Sequence, residues 1–238
     1  MGKIYTFNNK IVTINNKWCE EYVEPTPVDP YNPLGLPANT VRVRTNNGNA
    51  PYKGTSTSYE TATLVSGTTD VYDVYKSGTS FSSMFEGSTN VIEVLGANTT
   101  NVTDMNNMFR TCSNLTTIPI FDTSSVTNMN GMFRACTSLT SVPLFDTSNV
   151  TNMDYMFYNC NTITTVPLFN TSIVTSVRFM FRYCTNVQSG ALALYNQMST
   201  QTTPPSSHNY CFQDCGKNTS SGAAELAQIP SSWGGTGA

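Results

Sequence analysis

The sequence predicts an α/β repeat solenoid: coils of a short parallel strand plus a short helix, preceded by a β N-terminal cap and an N-terminal hairpin arm. Three observations lead there. The dipeptide Met-Phe recurs at Met84-Phe85, Met108-Phe109, Met132-Phe133, Met156-Phe157 and Met180-Phe181, in steps of 24 residues. Other apolar columns keep the same phase: Cys112, Cys136, Cys160 and Cys184; Val91, Leu115, Leu139, Ile163 and Val187; Val102, Val126, Val150 and Val174. Both ends of the chain depart from that phase. A single unit cannot bury its apolar side, so units in register are expected to stack and bury equivalent positions against each other.

The first element is an arm, residues 1–23. Lys3–Phe7, an Asn8-Asn9 turn and Ile11–Ile14 read as a β-hairpin. A lone hairpin is marginal, so Ile4, Tyr5, Phe7, Ile11, Ile14 and Trp18 are expected to anchor on another protein. Residues 24–40 hold prolines at 25, 27, 30, 33 and 37 and read as an extended, semi-rigid linker. Residues 41–83 form the cap, with strands at Val41–Arg44, Ala62–Val65 and Val71–Tyr75. The repeats run over 84–203. In each, a segment such as Leu139–Phe145 is expected as a strand and Asp146-Thr-Ser as an Asx turn. Val150, Met153, Met156 and Phe157 then lie close to one face of a short helix. The repeat core is Met108, Phe109, Cys112, Leu115, Met132, Phe133, Cys136, Leu139, Met156, Phe157, Cys160, Met180, Phe181 and Cys184. Residues 204–238 form a C-terminal cap, in which Cys211-Phe212 echoes Met-Phe after a seven-residue insertion and Trp233 covers the last coil.

The unit NVTxMxxMFxxCxxLxxVPLFDTS resembles the leucine-rich repeats of the BspA-like bacterial surface-protein class. That resemblance implies leucine-rich-repeat-like coils and adhesion or protein binding. The opening KIYTFNNKIVTINNKW and the ending GAAELAQIPSSWGG are similar to segments of gut bacteriophage virion proteins, fibres or decorations, that carry such repeats. The implied partners are other virion proteins through the arm, and a host surface protein or glycan through the repeats, in a homo-oligomer. The implied location is the virion, with the bacterial cell surface as the alternative.

Composition narrows the function classes. Charged residues are only 11% and the net charge is −3, so a phosphate-neutralising surface, and with it nucleic-acid binding, is not expected. No apolar run reaches the roughly 18 residues of a membrane span. The opening residues lack an apolar signal region, which suits release by lysis. No catalytic constellation emerges, because the single His208 sits in a Pro-Ser-rich insertion with no acidic orienter nearby in sequence. No enzymatic activity, cofactor or metal site is expected. The cysteine ladder is close enough for disulfides if coils are about 5 Å apart, yet its place in a core column favours buried free thiols.

Variation inside the repeats points to a face. Core columns barely change, while the pairs flanking Met-Phe differ from unit to unit. There the sequence supplies Arg110, Arg134, Asp154, Tyr155, Tyr158, Arg178, Phe179, Arg182 and Tyr183. Arg, Tyr and Phe are rich in binding energy when they meet a partner. These residues are expected to face solvent, either as a binding ladder or as a solvated surface tolerating drift.

Overall fold

The computed structural model describes residues 5–7, 10–12, 29–52 and 59–237. The hairpin forms in the arm: β1 (Tyr5–Phe7) and β2 (Lys10–Val12) pair antiparallel, with Thr6 opposite Ile11. Ile4, Ile14, Trp18 and residues 24–28 of the linker lie outside the described residues. Residues 29–39 run as turns against the next sheet, with the Asn98 amide donating to the Leu36 carbonyl.

The strands expected between residues 41 and 75 are present. A four-stranded antiparallel sheet has the order β4 (Thr61–Leu64), β5 (Val71–Tyr75), β3 (Thr40–Thr45), β6 (Val91–Asn98). Alternation explains its two faces. Val41, Val43, Tyr72, Val74, Val91 and Val94 form the buried face. On the other face charges pair across strands: Arg42 opposes Asp73 and holds it at 2.6 Å, and Arg44 opposes Glu93 at 3.1 Å.

The predicted α/β solenoid of parallel strand plus helix is not what the chain forms. Among the described residues regular structure consists of this antiparallel sheet, the separate pair β1 and β2, two helices, α1 (Ala191–Ser199) at the end of the span read as repeats and α2 (Ser220–Leu226) beyond it, and a 3-10 turn at Ser231–Trp233. Between residues 99 and 190 the units contain turns and isolated bridges only.

Two causes are visible. The segments read as helices are runs of tight turns. The Met132, Arg134 and Cys136 N–H groups donate back to the carbonyls three residues earlier, Met129, Gly131 and Phe133. The alternate N–H groups donate forward instead, Met129 to Asn152, Gly131 to Asp154, Phe133 to Met156 and Ala135 to Tyr158. The same pattern recurs in the neighbouring units. A left-handed residue every fourth position, such as Gly131, Ala135, Tyr155 and Asn159, makes this alternation possible and excludes a helix. The segments read as strands carry Pro119, Pro143 and Pro167, which have no N–H to give to a ladder. Little pairing survives there: single parallel bridges at Glu93–Thr117 and Thr165–Ser189.

The core columns are buried throughout, and equivalent residues lie over one another in 24-residue layers. The rings of Phe85, Phe109, Phe133, Phe157 and Phe181 stack with centroids 5.2–5.6 Å apart and planes within 14°. Each thiol of Cys112, Cys136, Cys160 and Cys184 is free, buried, and donates to a Phe carbonyl of the preceding layer at 3.0–3.1 Å. Burial pushes the Cys160 thiol up to about 12, so these groups are inert as nucleophiles. The Asx turns form: the Ser124, Ser148 and Ser172 N–H groups donate to Asp122, Asp146 and Asn170. The Thr between them is buried and bonds onward, Thr123 to the Asp146 carbonyl and Thr147 to that of Asn170, both at 2.7 Å.

At the far end Trp233 is buried, with its ring face to face with His208 at 4.1 Å and edge-on to Tyr195. α1 buries Ala191, Leu194 and Met198, one face of a helix. Glu225 of α2 accepts from the Gly190 and Leu192 N–H groups and so satisfies the start of α1.

Phe133→Ala is expected to cost about 3–5 kcal/mol, since it opens a gap in a continuous ring stack; guanidinium denaturation measures it, and a loss under about 1 kcal/mol would contradict the packing. Bonds from the Ser148 N–H and hydroxyl hold the Asp146 carboxyl below its usual range. Its contribution is therefore present above the unfolded value of about 3.9 and is lost as pH falls through the lower folded value. Asn170 makes the same turn bond without a charge. Asp146→Asn keeps the turn bond without the charge, so it should lower stability slightly at pH 7 and flatten part of the loss below pH about 4, read from denaturation midpoints across pH.

Candidate functional site

The forward-donating turn runs place four variable positions side by side on every layer. One column reads Asn107, Gly131, Tyr155, Phe179 and, across the insertion, Tyr210. The residues of this column take left-handed φ, from 53° to 63°. Asn and Gly tolerate that conformation, whereas for bulky rings it costs about 1–3 kcal/mol each. The rings nevertheless stack. Tyr155 and Phe179 lie 4.7 Å apart at 14°, and Phe179 and Tyr210 lie 5.4 Å apart at 24°. Such pairs recover about 0.5–1.5 kcal/mol each.

The adjacent column reads Arg110, Arg134, Tyr158, Arg182 and Gln213. Arg110 is paired with Glu86 at 2.9 Å, away from the rings. The Arg134 guanidinium lies over Tyr155 and Tyr158, 5.1 Å from each centroid. That of Arg182 lies among Phe179, Tyr183 and Tyr210 at 4.5–5.6 Å and donates to the Tyr183 hydroxyl at 2.7 Å. Tyr158 meets Tyr183 edge-on at 5.5 Å. Among the described residues neither Arg134 nor Arg182 has a carboxylate partner, and the Arg182 Nε is buried without an acceptor. The cluster is thus a set of rings holding two uncompensated cations, each contact worth about 0.5–2 kcal/mol.

Asp154 departs from the expectation that it faces solvent. It is 1% exposed and clasps the next layer, accepting from the Arg178 backbone N–H at 2.7 Å and from the Arg178 guanidinium at 2.6 and 2.9 Å, with the Ser176 hydroxyl as a further donor. These bonds, and then the charge of Asp154, raise the Arg178 pKa. A buried carboxylate must be bonded in this way, so this pair is structural. The structure therefore brings together Arg134, Tyr155, Tyr158, Phe179, Arg182 and Tyr183, leaves Arg110 apart, and turns Asp154 and Arg178 to a different task. Sequence reading missed Tyr210. Its signal was present, because it precedes Cys211-Phe212 as Phe179 precedes Met180-Phe181.

Elsewhere chemistry is sparse. A shallow depression of about 250 Å³ is lined by Ile173, Val174, Thr175, Thr203, Pro204 and Ser206, none of them ionisable. The His208 ring is covered by Trp233, with Nδ1 buried and unbonded. Among the described residues no group of three or more His, Cys, Asp or Glu side chains is placed to hold a metal ion, and no helix is long and apolar enough to cross a membrane.

Residues 79–196 match the model of a family described as "Mycoplasma protein of unknown function, DUF285". The match spans the layers that carry most of the cluster and supports a repeat surface-protein family. No curated protein and no solved structure matches the chain.

Arg178→Ala leaves Asp154 buried with fewer donors and should cost about 1–2 kcal/mol, discounted because the guanidinium is half exposed. Arg134→Ala, which gives up two ring contacts open to solvent, should cost about 0.5–1 kcal/mol. Urea denaturation of both variants checks the contrast, and equal losses would contradict the separate roles.

Proposed function

We propose that the chain is a non-enzymatic binding protein displayed on an exposed surface, which engages its ligand through the ring and guanidinium cluster of its last layers. One observation carries this reading: Tyr155, Phe179 and Tyr210 keep left-handed backbones at positions where Asn107 and Gly131 sit without strain. The same backbone recurs at Thr111 and Ala135 because the layers require it, so the bulky rings, and not the backbone, are what the fold does not demand. Rings beside uncompensated arginines are also the side chains that dominate binding energy. The uncharged Thr-, Ser- and Asn-rich composition suits display.

The finer setting we infer is a bacteriophage virion, as a head fibre, decoration or tail-associated adhesin. The hairpin of β1 and β2 would dock on other virion proteins, in a homo-oligomer. The second reading, a bacterial cell-surface adhesin of the BspA-like class, is favoured by the family match.

The test is adhesion of the full chain to mucin-coated and bacterial surfaces, against the triple variant Tyr155→Asn, Phe179→Asn, Tyr210→Asn. Asn suits the backbone, so the variant should unfold at the same temperature or higher and lose adhesion at least about tenfold. Undiminished adhesion would overturn the assignment. Immunogold labelling of particles and envelopes separates the two settings.

A further inference from the structure

We propose that the cluster is a receptor for a linear acidic glycan that carries a carboxylate on every second sugar. This rests on the binding face assigned above and names its ligand class. Arg134, Tyr158 and Arg182 occupy one column on three consecutive layers. The order along the stack is therefore cation, ring, cation. Layers are 5.2–5.6 Å apart at the phenylalanine stack, so the positions of Arg134 and Arg182, two layers apart in one column, are separated by on the order of 10 Å along the stack, twice a strand-like spacing. A β-linked pyranose advances its chain by close to one such layer. An acidic sugar on Arg134, a neutral one over Tyr158 and an acidic one on Arg182 then fall in register.

The chemistry of each position agrees. Ring faces hold both guanidinium groups, and a guanidinium stacked on an aromatic face keeps N–H donors for a carboxylate, of which Arg182 already gives one to the Tyr183 hydroxyl. Neither arginine has a carboxylate partner among the described residues, and the Arg182 Nε is an unsatisfied buried donor. Tyr158, on the layer between, supplies a ring beside the middle sugar, next to the Arg134 guanidinium. Other acidic ligands fit less well. An extended peptide repeats its same-side charges about every 7 Å, out of step with the layers. Nucleic acid needs many more neutralising contacts than two arginines on a chain of net charge −3 supply.

The experiment is calorimetric titration of the full chain with hyaluronan decasaccharide, which bears a carboxylate on alternate sugars. Neutral chitopentaose and polyglutamate serve as comparisons. Hyaluronan should bind, more weakly as salt rises. Arg134→Gln and Arg182→Gln should each weaken it about tenfold, and the comparison probes should bind far less. Equal binding of chitopentaose, tighter binding of polyglutamate, hyaluronan binding indifferent to both arginines, or no hyaluronan binding would each overturn the proposal. If hyaluronan fails while the Tyr155, Phe179, Tyr210 variant still loses adhesion, the ligand class alone is wrong. If adhesion also survives that variant, the binding face is wrong as well.

Discussion

Within each layer's turn run the backbone N–H groups divide their bonds, one to the turn they sit in and the next to the layer that follows. Phe133 gives its N–H to Met156, and Arg134 gives its own to Gly131. A helix would have kept every bond inside its own unit. Here half of them cross, so each layer is completed by its neighbour and cooperativity runs along the stack. The phenylalanine column, the thiol-to-carbonyl bonds and the Asp154–Arg178 clasp all add to a contact that the backbone has already specified. The antiparallel sheet of β3 to β6 starts this stack, and Trp233 with α1 and α2 finishes it.

The same division of bonds generates the proposed binding surface. Alternating donors require a left-handed residue at fixed places, and those places fall outside the core, on one side of every layer. In one of the two left-handed columns early layers carry Asn107 and Gly131, which are comfortable there, and later layers carry Tyr155, Phe179 and Tyr210. Stacking offsets part of that cost, and the arginines packed on the rings, Arg134 and Arg182, are the cations of the proposed anion-binding face. Regular scaffold and irregular site thus share one backbone geometry, and the site is confined to the last layers because only those carry the rings.

Much of this was legible in the sequence. The Met, Phe, Cys and Leu columns predicted the core residue by residue, since stacking buries equivalent positions alike. The Asp-Thr-Ser turns were equally readable from Asx chemistry. The fold class was not. Val150, Met153, Met156 and Phe157 bury one side of a turn run as well as they would one side of a helix, so apolar spacing cannot distinguish the two. Asn107 and Gly131 in a single column, and Pro119, Pro143 and Pro167 in another, were the signals against helix and strand. α1 was hidden because its Ala191, Leu194 and Met198 stripe begins inside the span assigned to repeats. Asp154 read as exposed because it varies between units. Its burial follows from Arg178, a partner one layer on, which local sequence does not reveal.

The decisive measurement is NMR detection of scalar coupling across the hydrogen bond donated by the Tyr155 amide. The account predicts coupling to the carbonyl of Arg178, one layer away, at the 2.9 Å contact that places the ring. Coupling to the carbonyl of Thr151, the helical partner, would contradict it and remove the backbone basis of both the stack and the site.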